Sequence, residues 1–225
     1  MEIQEQVINK IPHERFMRQL DIVPPESLTF PITVIGAGAI GSSTVINLMK
    51  MGCSNVTVWD DDTVEEHNVP NQFCKLSSIG SFKVDALDEL VYDLTGMHIN
   101  PVNKKYRNQE LKGVVIITVD NMIARQIAWK KMVNKFHVPL YIDARMGAEF
   151  ARIYAVCPSD SDDIKLYEEN LYPDTEAERL PCSARSIIYC PSIIGGIIAM
   201  MVKQFAMNQP VKKEVLFNIP SFTIL

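Results

Sequence analysis

The stretch Ile35-Gly36-Ala37-Gly38-Ala39-Ile40-Gly41 carries a G-x-G-x-x-G pattern. Each glycine has a separate physical use: Gly36 permits a tight turn, Gly38 lets backbone approach a phosphate, and Gly41 lets a following helix pack against a preceding strand. The N-terminus of such a helix offers free N–H groups and a positive dipole to an anion. Asp60 stands 19 residues beyond Gly41, where a carboxylate at the end of a second strand accepts hydrogen bonds from ribose hydroxyls. These residues point to a nucleotide. They leave NAD, FAD and ATP equally open, and a glycine loop needed only for a tight strand–helix turn would read the same way.

The elements around these residues follow from periodicity. Ile32–Ile35 is a β-branched run ending at glycine, and Ala39–Met51 continues with helical character to Gly52. Val56–Asp60 reads as a strand. Lys83–Leu94 has an apolar stripe at helical spacing, closed by Gly96. Val114–Val119 is apolar throughout, as expected of a parallel strand covered on both faces. Met122–Phe136 has helix spacing, Leu140–Ile142 is a short strand, and Phe150–Val156 alternates as a strand. Ile187–Met207 reads as a helix with Gly195 and Gly196 inside it as a close-packing site, followed by strands at Val215–Ile219 and Phe222–Leu225. Repeated β-α-β units predict an α/β fold, a Rossmann-like doubly wound and mostly parallel sheet, with antiparallel strands added toward the C-terminus. One domain over 1–225 is expected: an N-terminal helical segment (1–30), a nucleotide-binding core (31–145), an acidic crossover loop (158–182), and a closing helix with terminal strands (183–225).

Composition narrows the class. The chain has 225 residues, a formal net charge of −5, 47% hydrophobic and 22% charged residues, which excludes a largely disordered chain. Residues 158–182 hold eight acids and two bases, leaving 19 acids and 20 bases elsewhere, so the acidity belongs mostly to one segment. Prolines at both its ends and the lack of a clear period make that segment a long surface loop. No basic stripe is interleaved with aromatics, and Lys104, Lys105 and Arg107 form only a local cluster, so nucleic acid is not expected as a partner. Met1–Lys10 is polar, which argues against a secretory leader. The apolar stretch Ile187–Val202 is short and interrupted by Tyr189, Cys190, Pro191 and Ser192, which argues against a membrane span. The five cysteines (53, 74, 157, 182, 190) contain no C-x-x-C pair; reduced thiols, no zinc site and a cytoplasmic location are expected.

The residues after Asp60 carry a resemblance. Asp60-Asp61-Asp62-Thr63-Val64-Glu65-Glu66-His67-Asn68-Val69-Pro70-Asn71-Gln72 resembles the D-x-D-x-V-x-x-x-N-x-x-R-Q segment of the ThiF/MoeB/HesA family, the ubiquitin-activating-like (E1-like) adenylyltransferases. Arg15-Phe16-Met17-Arg18-Gln19 resembles an N-terminal R-Y-x-R-Q. Lys83-Val84 resembles the K-V that opens the next helix. Val119-Asp120-Asn121 with Arg125 resembles T-D-N-x-x-x-R. Pro181-Cys182, Pro191 and Gly195-Gly196 resemble the closing cysteine and glycine-containing helix.

That resemblance implies ATP- and Mg²⁺-dependent adenylation of a C-terminal carboxylate on a small ubiquitin-like or sulfur-carrier protein, with thioester or sulfur transfer to follow. It implies that Asp60 holds the ribose, that Asn68 and Gln72 orient ribose and phosphates, and that Lys83 sits on the phosphates as a point charge. Asp120 would bind Mg²⁺ as a hard oxygen ligand. Arg18 would reach into a neighbouring subunit's site, implying a homodimer. Asp62 either contacts the ligand or caps a turn, Arg125 orients its loop, and Arg15 supports structure. Cys182, next to a helix start and Arg185, is either an acyl-accepting thiolate or a buried cap. Two departures stand out: Asn71 replaces the motif's arginine, with Lys75 as the candidate substitute charge, and the zinc-binding cysteine pairs of many relatives are absent. An NAD-dependent oxidoreductase and a non-catalytic activating-enzyme-like scaffold are the alternatives. The first leaves Asn68, Gln72, Lys83 and Asp120 unexplained; the second rests on Asn71.

Overall fold

The computed structural model describes residues 13–173 and 186–225. One eight-stranded sheet runs through them in the order β3-β2-β1-β4-β5-β6-β7-β8. Its strands are β1 (Ile32–Ile35), β2 (Val56–Trp59), β3 (Asn100–Val102), β4 (Val114–Ile117), β5 (Leu140–Gly147), β6 (Phe150–Val156), β7 (Glu214–Asn218) and β8 (Thr223–Ile224). β3, β2, β1, β4 and β5 are parallel, and β6 to β8 add antiparallel to β5. The expected fold class is what is found.

The helices are α1 (Ala39–Met51), α2 (Lys83–Thr95), α3 (Met122–Met132), α4 (Ser161–Glu168) and α5 (Tyr189–Ala206). Short 3-10 turns at His13–Gln19 and Pro25–Leu28 make up the described part of the N-terminal segment. Two cores follow from the alternation of strand side chains. Val34, Val58, Ile116, Ile142 and Ile153 pack with α1, α2 and α5 on one face. Val115, Ile117, Tyr141 and Tyr154 pack with Trp129 of α3 and Tyr167 of α4 on the other. Both faces of the parallel strands are thus covered, which is why they read as continuous apolar runs.

α5 passes against α1 at Gly195, where a Cβ would fall 2.3 Å from Ser43 Oγ. Gly196 faces open space, so the close-packing role belongs to Gly195 alone. By length and apolarity α5 could cross a membrane, contrary to the expectation for this stretch, but its buried residues, among them Cys190, Ile194, Ile198 and Val202, belong to the core against α1.

Three expectations are corrected. Residues 158–182 are not a loop throughout: Asp160 accepts hydrogen bonds from the Asp162 and Asp163 amides and starts α4, whose Ile164 and Tyr167 face the core. β5 extends to Gly147, past the Ile142 where its apolar run stops. α3 ends at Met132, four residues early, because Val133 leaves helical geometry and Asn134 takes φ of 60°.

Candidate functional site

The strand order reverses between β1 and β4. A crevice therefore opens at their carboxyl ends, flanked by the loop after β1 and the loop after β4, the usual ligand position in such sheets. Thr118 ties the two loops together: its hydroxyl donates to Gly36 O (2.8 Å) and lies 3.2 Å from Ile35 O.

Geometry separates the three glycines. Gly36 has φ of +102°, and a Cβ there would come 2.9 Å from Thr118 O. At Gly41 a Cβ would fall 1.9 Å from Gly36 O, so only glycine lets α1 start this close to the loop. At Gly38, N-cap of α1, a Cβ would meet nothing within 4 Å. Gly38 thus borders vacant space in front of a helix N-terminus, a cradle suited to phosphate oxygens.

Asp60 lies just beyond β2. One carboxylate oxygen accepts from Ala37 N–H in the glycine loop (2.6 Å) and the other from Asp62 N–H (2.8 Å). Burial raises its pKa above the ordinary carboxyl value, opposed by those two amides and by the Lys83 charge. Asp62 holds Lys83: its carbonyl accepts from Lys83 N–H (2.9 Å) and its carboxylate from Lys83 Nζ (2.7 Å). The result is a chain of contacts from glycine loop to Asp60 to Asp62 to Lys83. It places an ammonium at the rim of the crevice, at the start of α2.

The strap between β2 and α2 is pinned twice more. Phe73 N–H donates to Ser42 Oγ in the first turn of α1 (3.0 Å). Asn68 Oδ1 accepts from Glu65 N–H (2.9 Å) within a reciprocal capping box, and Asn68 O accepts from both Asn71 and Gln72 N–H. Asn68 therefore folds this strap, bringing Asn71 and Gln72 beside the start of α1. Lys75 does not replace the motif's missing arginine, because its ammonium pairs with Asp93 near the far end of α2.

Across the crevice, Asp120 is exposed on the loop after β4, with Oδ1 accepting from Asn121 Nδ2 (3.1 Å). Asn121 Oδ1 accepts from Ala124 N–H and caps α3. Arg125 donates to Asn121 O (3.2 Å), the loop-orienting role expected of it. Asp120 pairs with no cation among the described residues, and a hard oxygen donor in that state fits a divalent cation.

One expected site residue is not brought here. Arg18 is exposed on the 3-10 turn at His13–Gln19, whose Phe16 and Arg15 lie against Gly52 and Gly96, the C-terminal ends of α1 and α2. Arg15 donates to Thr95 O (2.6 Å), a structural contact. The 13 residues of α1 put about 20 Å between that end and Gly38. Cys182 lies outside the described residues. Among the described residues Cys157 joins no ligand cluster; its Sγ is 3.2 Å from Ser159 Oγ. Ligand atoms of Asp60, Asp61 and Asp62 do lie within 4.8 Å of one another, but Asp60 and Asp62 are engaged by Ala37 and Lys83.

Sequence reasoning missed Ser42, Thr118 and a buried group formed by Asp143, Arg145 and Tyr167. The signal for the last was the alternation Tyr141-Asp143-Arg145, one face of a strand.

Fold and site together define a doubly wound, Rossmann-like α/β protein whose glycine loop faces a crevice at the switch point. The family model described as "ThiF family" matches residues 27–223, and the chain belongs to the ThiF family. Among curated proteins, it is 27% identical over 170 residues to the SUMO-activating enzyme subunit uba-2 of Caenorhabditis elegans, covering 68% of this chain and 29% of that one. It is 37% identical over 60 residues to the adenylyltransferase and sulfurtransferase UBA4 of Yarrowia lipolytica, 27% of this chain and 15% of that protein. The chain thus spans well under half the length of these relatives. Among solved structures, E. coli MccB with AMPCPP and MccA superposes with a TM-score of 0.73 at 14% identity, over 99% of this chain and 72% of MccB. PaaA superposes with a TM-score of 0.72 at 18% identity, over 94% of this chain and 81% of PaaA.

Proposed function

We propose that this protein uses ATP to adenylate a carboxylate. A carboxylate oxygen bonds to the α-phosphorus, the bond to the pyrophosphate oxygen breaks, and an acyl adenylate forms. The reaction asks for alignment and charge neutralisation more than for a strong base. The observation that carries the reading is the arrangement across the switch-point crevice: vacant space at Gly38, Asp60 and the held Lys83 on one side, and Asp120 on the other. Asp60 with Ala37 N–H fits a ribose, the amides at the start of α1 fit phosphate oxygens, and Lys83 can exchange Asp62 for phosphate. Gln72 approaches from the strap. Asp120 would hold Mg²⁺, which supplies charge neutralisation to phosphate oxygens. An NAD-dependent oxidoreductase would use Asp60 but has no role for Lys83 or Asp120.

The substrate in this reading is the C-terminal glycine carboxylate of a small ubiquitin-like or sulfur-carrier protein. Membership of the ThiF family and likeness to a SUMO-activating subunit and to UBA4 support it. A homodimer belongs to the same proposal, since Arg18 is an α1 length from its own chain's crevice and serves a site only in a neighbour. Cys182 is proposed as acceptor of the acyl group, its thiolate displacing AMP from the acyl adenylate to leave a thioester, and the cytoplasm as the location.

ATP–pyrophosphate exchange tests this, with small carrier proteins ending in glycine offered as substrate. Exchange that needs both carrier and Mg²⁺, and that Asp120→Ala abolishes while the unfolding midpoint is kept, is the expected result. One observation favours a second reading, a chemically silent activating-enzyme-like subunit: Lys75 is committed to Asp93, so the charge missing at Asn71 is not replaced by it. Absence of exchange with every carrier, in a protein that still binds Mg-ATP, would establish that reading instead.

A further inference from the structure

Beneath the Asp120 loop lies a buried charge group that adenylation does not itself require. Asp143 of β5 is fully buried and accepts from Arg125 Nε (2.8 Å), Arg145 Nε (2.8 Å) and Tyr167 OH (2.9 Å). Two buried guanidinium groups thus share one carboxylate. Arg145 is enclosed by the rings of Tyr154, Tyr167 and Tyr172, at 5.0, 5.8 and 5.6 Å from their centroids, and donates to Asn170 O (2.8 Å). Packed apolar side chains serve stability as well as a buried ionic group does, or better. What this group adds is connection. On one side it takes Tyr167 of α4 and the Asn170 carbonyl just after that helix. On the other, Arg125 donates to Ala144 O and to Asn121 O, and Asn121 donates to Asp120. The contacts run without a gap from α4 to the carboxylate at the crevice.

We infer that Asp143 is a positioning residue for the cation-binding carboxylate. It fixes Arg125, Arg125 fixes the Asn121 peptide, and Asp120 is thereby aimed into the crevice. Tyr167 brings α4 into the same control, so the acidic segment is mechanically joined to the site. The inference rests on the proposed Mg-ATP reading and deepens it. Outer contacts that orient a metal ligand typically carry tenfold to hundredfold effects on metal affinity.

The test is Mg²⁺ titration of ATP binding to the full chain, read as the Mg²⁺ concentration giving half of the ATP-induced rise in unfolding midpoint. Asp143→Asn should raise that concentration by about tenfold. Tyr167→Phe, which keeps the ring and drops the hydroxyl that donates to Asp143 and meets Tyr141 OH (3.4 Å), should raise it about twofold to threefold, and it serves if the Asp143 variant does not fold. Phe217→Leu is the control: it trims a buried side chain of β7 in the core on the opposite face of the sheet from Tyr154 and Tyr167. It should lower the unliganded midpoint and leave the Mg²⁺ requirement unchanged. Equal Mg²⁺ requirements in wild type, Tyr167→Phe and any folded Asp143 variant would overturn the inference and leave the group structural. No ATP-induced rise in the wild type would overturn the Mg-ATP reading itself, an outcome visible before any variant is compared.

Discussion

Gly38 and Gly41 stand three residues apart in one loop under opposite constraints. A methyl group at Gly41 has no room against Gly36 O, whereas at Gly38 it enters vacant space. Gly41→Ala should lower the unliganded unfolding midpoint, with overpacking of this kind costing about 1–3 kcal/mol or more. Gly38→Ala should leave that midpoint unchanged and remove most of the stabilisation by Mg-ATP. Thermal unfolding with and without nucleotide checks both. The motif spacing revealed the loop but not this division of labour, which depends on Thr118 arriving from another strand. Asp143 carries a pH signature. Burial alone would raise its pKa, but Arg125 and Arg145 more than offset burial and hold the carboxyl below its ordinary value. An acid lowered in the folded state adds stability above its unfolded pKa, near 3.9, and that stability is lost as pH falls through the lowered value. Asp143→Asn should therefore cost about 3–5 kcal/mol at neutral pH, because two cations lose their carboxylate. It should also flatten the acid limb of stability against pH, as urea unfolding at a series of pH values will show.

At the scale of elements, helix contacts decide what a glycine is for. Gly195 in α5 meets Ser43 of α1, and Gly196 meets nothing. Gly195→Ala should destabilise by about 1–3 kcal/mol through overpacking, and Gly196→Ala should stabilise by up to about 1 kcal/mol through helix propensity, both measurable by urea unfolding. The sequence pair Gly195-Gly196 announced a packing site without saying which residue made it, since that depends on the face presented to α1. α1 and β6 were legible to the residue because pattern and burial agree there. α4 was not: its three core-packed residues, Ile164, Leu166 and Tyr167, are scattered among charged residues, one of which, Asp160, is spent on the cap. β3 was missed because Asn100-Pro101-Val102 is short and contains a proline, tolerable at the edge of a sheet. β5 ran past its apolar signal because Asp143 and Arg145 are buried by pairing rather than by hydrophobicity.

At the scale of the whole molecule, the ends of α1 define two separate places. The crevice lies at its N-terminus, and the turn bearing Arg18 lies at its C-terminus. If Arg18 completes a site in a neighbour, Arg18→Ala and Asp120→Ala chains should each be inactive alone. Mixed before assay, they should recover part of the ATP–pyrophosphate exchange, because some mixed pairs hold one site with both wild-type residues. No recovery, with the mixture shown to be dimeric by light scattering, would remove Arg18 from the site. The position of the crevice was legible from chain order, since alternating strands and helices fix a switch point. The position of Arg18 was not, because nothing in its own segment shows which end of α1 it packs on.

The account turns on one ligand, and the most direct measurement is the unfolding midpoint with Mg-ATP, with ATP plus chelator, and with NAD in parallel. A ligand that binds only the folded state stabilises it by RT ln(1 + [L]/Kd), about 2.7 kcal/mol at a hundredfold excess over Kd. The crevice formed by Gly38, Asp60, Lys83 and Asp120 predicts a rise with Mg-ATP, a smaller rise once the metal is chelated, and none with NAD. A rise with NAD and none with Mg-ATP would contradict it.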